Sequence, residues 1–359
     1  MTPSLRLLAT LAAALAIHAT PALAAEPDAK ALASVTLNIG QNNGELEPLW
    51  RASGVFDGAP YKVQYSSFNN ALDNYTALAA GNIDVSSSAI NTALQLQQAA
   101  PVAWTAQTAP LKVLSTRLSD FENSPDRFVI LASSKSGIKE LNAATLRGKK
   151  FAYSPGANNY LLFLATLNHY GVKPEELTPV ELDTTANSLA LLNGSVDLVS
   201  GSIDLYGAAL EDGARVVSNS KRVKLPVISG LLANTRALND RIKGAAIKDF
   251  ALRYVRFENW FSTHPEEAQA AFINGRHFKK AQAAAAWKAS RVLVMPVGAD
   301  SVKDAETVSA LLRSAGAFKK TVDVSVLFDT RFSADTQKLL KDIAFESNLQ
   351  RSVKAGTAP

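Results

Sequence analysis

Residues 147–160, RGKKFAYSPGANNY, carry the pattern most suited to gripping an anion. Segment 149–153 is a short strand with Phe151 and Tyr153 on one side; Pro155 and Gly156 end it. Asn158 or Asn159 then caps a helix whose apolar positions include Tyr160, Leu161 and Leu164. Such a helix start aims unpaired backbone N–H groups and a partial positive charge past the strand's end, which attracts an anion without a charged side chain. The plainer reading is an ordinary strand-to-helix connection in which the asparagines only cap. Patterns for catalysis are scarce: G-x-S-x-G, H-E-x-x-H and G-x-x-x-x-G-K-[ST] are all missing. His169, His264 and His277 lie far apart without acidic neighbours at ligand spacing, so neither metal nor cofactor is expected. A hydrolase built from scattered Ser, His and Asp is a third, weaker reading.

The elements that position this stretch begin after a leader. Residues 5–16 are an apolar run beside Arg6, ending near Ala22-Leu23-Ala24, which reads as a secretory signal peptide over 1–24, cleaved after Ala24. The run is too short to anchor in a bilayer. With no cysteine in 359 residues there is neither a lipid anchor nor a disulfide. A soluble, exported, periplasmic product is expected. Losing Arg6 lowers the formal charge from +5 to +4. That charge is dispersed, and its one cluster, Lys221-Arg222-Val223-Lys224, reads as a solvated loop, so nucleic acid is not an expected partner.

A repeat gives the organisation. NYTALAAGNIDVSSS begins at Asn74 and NSLALLNGSVDLVSG at Asn187, with six identities in fifteen positions at a constant offset of 113. In each copy a helix ends at a glycine suited to a left-handed cap, Gly81 or Gly194, and an apolar-Asp pair, Ile83-Asp84 or Val196-Asp197, opens a strand. The same offset lays strand 37–40 onto 150–153. Each half reads strand, helix, strand, helix, strand, helix, the alternation of a parallel α/β sheet. Ligands in such sheets bind beyond the carboxyl ends of the strands, so loops 41–44, 86–91, 154–160 and 200–206 are candidates together.

The remaining pattern is coarser. Segment 103–109 reads as extended around Trp104, and 128–133 and 226–233 read as strands at two chain crossings. The domains expected are a first lobe of 25–125 with 231–359 and a second of 126–230. Beyond it the chain reads as helical over 245–262, 265–274, 280–290, 304–315 and 333–349.

The N-terminal V-T-L-x-I-G, the twin helix-Gly-x-Ile/Val-Asp units, L-R-G-K-K-F-A with G-x-N-x-Y-L-L, and V-D-x-x-x-x-x-x-D-x-Y together resemble the substrate-binding proteins of ABC importers for aliphatic sulfonates, taurine and nitrate. Two tail segments within 306–329, E-T-V-S-A-L-L-R-S-A-G-A-F and T-V-D-V-S-V-L-F-D, are similar as well. The resemblance implies a type II periplasmic binding protein: two α/β lobes joined by two crossings, with the ligand cleft between them. It implies no enzyme activity, a small anionic or zwitterionic ligand, an inner-membrane ABC permease as partner, a monomer, and a role in sulfur supply. Carried over position by position, it puts Gln41, Asn42, Ser87, Ser88, Gly156, Asn158, Asn159, Tyr160, Asp204 and Tyr206 around the ligand. The chain departs from the family where S-S-A-I-N replaces T-G-D-x-P and where Ile203 and Leu205 replace the Trp and Pro of W-D-P-Y.

The expected function is capture of a small sulfonate or related organic anion by neutral dipoles, namely helix starts, serine hydroxyls and asparagine amides, without a fixed countercharge. Glu45 and Glu47 fit the first turn of the helix after Gln41; one that faces the cleft instead repels a simple anion and favours a zwitterion or a cationic group. A receptor for a heterocycle such as a thiamine-precursor pyrimidine is the alternative, walled by Tyr65, Phe68, Trp104, Tyr160 and Tyr206.

Overall fold

The computed structural model describes residues 27–356; the signal peptide expected over 1–24 lies outside them. Strands β1 (Thr36–Asn42), β2 (Lys62–Phe68), β3 (Val85–Ala89) and β4 (Leu111–Leu118) belong to the first of two sheets. β5 (Phe128–Ala132), β6 (Lys150–Tyr153), β7 (Thr178–Glu181), β8 (Leu198–Ser202) and β9 (Arg215–Asn219) make the second. The chain then returns to the first sheet with β10 (Ile228–Asn234) and β11 (Leu293–Pro296). The strand orders are β11-β4-β10-β3-β1-β2 and β7-β6-β8-β5-β9. β1 runs parallel to β2 and β3, and β6 runs parallel to β7 and β8. In each sheet the strand that has just crossed from the other lobe, β10 or β5, runs antiparallel to its neighbour β3 or β8. This is the two-lobe α/β architecture that the repeat and the resemblance imply.

The twin units match down to their hydrogen bonds. Gly81 and Gly194 close their helices at φ +84° and +75°, a conformation that glycine adopts without the strain of a Cβ. Asn70 and Asp183 cap the starts of the same helices, each side chain accepting at 2.8 Å from the N–H three residues on. Asp84 and Asp197 each accept at 2.9 Å from a first-strand N–H, that of Asn38 and of Lys150. The strands themselves slip. Ile39 faces Val85 while Phe151 faces Leu198, so the first strands are related by an offset of 112 and not by the 113 that relates their partners.

Burial distinguishes the two aspartates. Asp84 is buried and also takes the Lys243 ammonium at 2.8 Å, whereas the carboxylate of Asp197 is 29% exposed, with Lys149 at 4.0 Å. Asp84→Ala is therefore expected to lower stability by about 2–3 kcal/mol and Asp197→Ala by about 1 kcal/mol, read from urea unfolding midpoints.

Several local expectations are corrected. Segment 103–109 is a turn, with the Thr105 N–H donating to Thr108 Oγ1 at 2.9 Å; the strand is β4, immediately after it. β11 interrupts the helical tail, because four residues, Val294 buried and its neighbours half-buried, extend the sheet beyond β4. The last helix is two, Ser333–Asp342 and Phe345–Gly356, parted where Ala344 takes φ +49°. Crossings 119–127 and 220–227 run side by side. The Ser119 N–H donates to the Val227 carbonyl at 3.3 Å, and Asn219 Nδ2 donates to Asp126 Oδ2 at 2.7 Å. The first lobe is filled by Trp50, buried among Phe56, Tyr65, Phe250, Tyr254 and Phe257. No helix among the described residues is long and apolar enough to cross a membrane.

Candidate functional site

Loops at the carboxyl ends of β1, β3, β6 and β8 meet across the gap between the sheets and enclose a cavity of about 130 Å³. A chamber of about 50 Å³ adjoins it, and the two share Glu45, Arg117, Arg127, Asp204 and Arg276. Of the ten residues expected at the ligand, Asn42, Ser87, Ser88, Asn158, Asn159 and Asp204 line the larger cavity.

The first-lobe side is a polar ladder. Ser86 Oγ donates to Asn74 Oδ1 at 3.0 Å, Asn74 Nδ2 to Asn42 Oδ1 at 2.9 Å, and Asn42 Nδ2 to Ser88 Oγ at 3.0 Å. Each member orients the next, so Ser88 and Asn42 reach the cavity in fixed rotamers. Alternation along β3 turns Ser87 the other way, and its hydroxyl lies 2.8 Å from the Tyr254 hydroxyl. On the second lobe, helix Asn158–Tyr170 starts at the cavity. Asn158 and Asn159 are its first helical residues rather than its cap, which is Ala157 and makes no side-chain bond. Asn158 Oδ1 is buried without a partner.

The other four residues do not line the cavity. Gln41 Oε1 accepts from the Leu46 and Glu47 N–H groups at 3.0 and 2.9 Å, doing the work of an N-cap for helix Glu47–Ser53. Gly156 lends its carbonyl to the opposite lobe, accepting from Asn91 Nδ2 at 3.2 Å and from Thr92 Oγ1. Tyr160 leans on Tyr153, ring centroids 5.2 Å apart. Tyr206 is buried in the second lobe's core against the backbone of Gly201. Nor do Tyr65, Phe68 or Trp104 reach the cavity; Tyr65 packs on Trp50 at 5.5 Å. The aromatic wall expected for a heterocycle is therefore not assembled from those residues.

The arginines are the part sequence reasoning missed, and they overturn the expectation of a site made of neutral dipoles alone. Arg117 comes from β4, Arg127 from the residue before β5, and Arg276 from the end of helix Pro265–Arg276. Arg117 Nη1 donates to Glu258 Oε1 at 2.8 Å, and the guanidinium sits 5.6 Å from the Tyr254 ring centre. Its Nε is buried without an acceptor. Burial alone lowers such a guanidinium's pKa, yet neighbouring Tyr254 and Glu258 hold it above its ordinary value, so it stays charged. Arg127 Nε points at Ser202 Oγ, 3.5 Å away, while Ser202 Oγ itself donates to Asp204 Oδ1. The sequence carried little signal for these arginines: Arg117 sits in a strand, LKVLSTRL, that also holds Lys112, Ser115 and Thr116.

Of the two glutamates, Glu45 faces the cavity and Glu47 does not. Consecutive positive φ angles at Asn43 (51°) and Gly44 (63°) swing the chain inward after β1. Glu47, one residue into the helix, pairs with Arg51 at 2.8 Å instead. Burial pushes the Glu45 carboxyl above its ordinary 4.5, against the pull of Arg276 and Arg127. The cavity therefore offers three guanidiniums, hydroxyl and amide groups, and a carboxyl that resists ionisation, a set suited to a small oxyanion.

Residues 58–248 match the family model for the periplasmic substrate-binding protein of a phosphonate ABC transporter. No curated protein matches the chain in sequence. Among solved structures it is similar to the periplasmic aliphatic sulphonate binding protein SsuA of Escherichia coli. That match has TM-score 0.66 and 21% identity, covering 81% of this chain and 91% of that one. It is also similar to the alkanesulfonate-binding protein SsuA of Xanthomonas axonopodis pv. citri bound to MOPS. There the TM-score is 0.69 at 20% identity, covering 85% and 99%. At these identities the likeness is one of fold.

Proposed function

The chain belongs to the phosphonate-type periplasmic substrate-binding proteins of ABC transporters, binding proteins rather than enzymes, and on that premise we propose that its cleft captures a small aliphatic sulfonate or related organic anion. The observation that carries this reading is the convergence of Arg117, Arg127 and Arg276 on one cavity between the sheets. Guanidinium forks match the planar pairs of oxygens that a sulfonate presents, and the desolvated cleft strengthens each charge-assisted bond. Charge count favours a monoanion. Glu45, Asp204 and Glu258 face the three guanidiniums, so the chamber's net charge is zero with Glu45 ionised and +1 with it protonated. A sulfonate brings one negative charge at neutral pH and a phosphonate brings up to two. The two neighbours named for sulphonates and alkanesulfonates support the same choice.

In this reading cleavage after Ala24 releases a monomer whose lobes, 25–125 with 231–359 and 126–230, close over the anion and present it to the permease. Titration calorimetry with ethanesulfonate, taurine, nitrate, methylphosphonate and an aminopyrimidine tests it. Ethanesulfonate or taurine is expected to bind, with affinity that falls as salt rises. A clear pyrimidine isotherm with no heat from either sulfonate overturns the reading.

A further inference from the structure

The cleft's three acids are not equivalent. Glu258 is held by Arg117 at 2.8 Å, and Asp204 accepts from Ser202 Oγ. The Glu45 carboxyl, among the described residues, makes no hydrogen bond and no ion pair within 4.0 Å. It projects from the loop after β1 into the space shared by both chambers, where an incoming anion must sit. The charged groups that face it come from every wall: Arg276 from helix Pro265–Arg276, Arg127 from the crossing before β5, Arg117 from β4, Asp204 from the loop after β8, and Glu258 from helix Arg241–Thr263. An ionised Glu45 would share the guanidiniums with a bound anion and repel it at close range. A protonated one removes the repulsion and supplies an O–H donor to an anion oxygen.

We propose that anion capture is coupled to uptake of one proton by the Glu45 carboxyl, so that the protein takes its ligand together with H⁺. This rests on the reading that the cleft binds an oxyanion. The proton passes from solvent buffer to a carboxylate oxygen of Glu45, no other bond changes, and release of the anion returns it. Burial already holds this carboxyl above its ordinary range in the empty cleft, and a neighbouring anion raises it further. The sign follows: protonation and anion binding favour each other, so affinity falls as pH rises above the free protein's Glu45 pKa, by at most tenfold per pH unit for a single proton.

Calorimetry with ethanesulfonate, in buffers of different ionisation enthalpy at one pH, counts the protons directly. For the wild type the observed enthalpy is expected to change with buffer with a slope approaching one proton taken up. For Glu45→Gln, a neutral stand-in for the protonated acid, the slope is expected to vanish. That variant's affinity is expected to stay flat with pH, whereas the wild type's falls above the free protein's Glu45 pKa. A wild type with zero slope and an affinity that does not change with pH overturns the proposal by itself, whatever the variant does. So does a variant that loses binding only of ammonium-bearing sulfonates such as taurine, since Glu45 would then stay ionised as a cation's partner. Should ethanesulfonate fail to bind while methylphosphonate or sulfate does, the sulfonate reading falls and the same buffer series with that anion decides the proton. If none of the three binds, both fall.

Discussion

Arg117→Met is expected to weaken ethanesulfonate binding at least a hundredfold, on the order of 3 kcal/mol or more, and to lower the protein's own stability by about 3–5 kcal/mol. The two effects have separate causes. The guanidinium's Nε is buried with no protein acceptor, which leaves it for the ligand. Its Nη1 neutralises Glu258, whose side chain is only 3% exposed, so removing Arg117 strands a buried carboxylate. Adding Glu258→Gln to Arg117→Met is expected to recover most of the stability and none of the binding, because methionine and glutamine restore neutrality but supply no cation. Urea unfolding and calorimetry read the two quantities independently. A double variant that regained binding would remove Arg117 from the site.

The second large effect concerns closure. Asn91 and Thr92, at the start of first-lobe helix Ile90–Ala99, donate across the gap to the second lobe. Asn91 Nδ2 reaches the Gly156 and Ala157 carbonyls at 3.2 and 3.1 Å, and Thr92 Oγ1 reaches Gly156 as well. These are buried bonds that exist only while the lobes are together. Asn91→Ala with Thr92→Val keeps the packing shape at Thr92 and removes all three. At about 1 kcal/mol each, the closed state loses roughly 2–3 kcal/mol against the open one, a shift of about 30- to 150-fold in their ratio. Small-angle scattering should show a larger radius of gyration for the unliganded variant, with weaker ligand affinity to match. Unchanged scattering and affinity would mean that closure does not depend on this contact.

The repeat was legible because glycine and aspartate do jobs that few residues can. A left-handed helix end calls for Gly81 or Gly194, and an aspartate accepting from a neighbouring strand N–H recurs at Asp84 and Asp197. Once four strand ends were placed, their loops had to converge, and six of ten expected residues line the cavity. The misplaced ones show what a pattern leaves open. Tyr206 and Tyr160 lie beside the right loops, but side-chain direction is set by packing against Gly201 and Tyr153, which come from other elements. Gln41 spends its amide on the next helix's orphan N–H groups, a task that leaves no mark in sequence. Arg117 and Arg127 flank the first crossing and Arg276 stands at a distant helix end, and only the assembled lobes bring all three within one cavity. β4 escaped notice because its first six residues are all buried, so it has no alternation, and β11 because it is four residues long.

A crystal structure of the protein soaked with ethanesulfonate bears on all of this at once. The sulfonate is expected between the lobes, with its oxygens within about 3 Å of Arg117, Arg127 and Arg276 donors and with Glu45 in hydrogen-bond contact. A sulfonate found elsewhere, with none of its oxygens near those three guanidiniums, would contradict the assignment of the cleft.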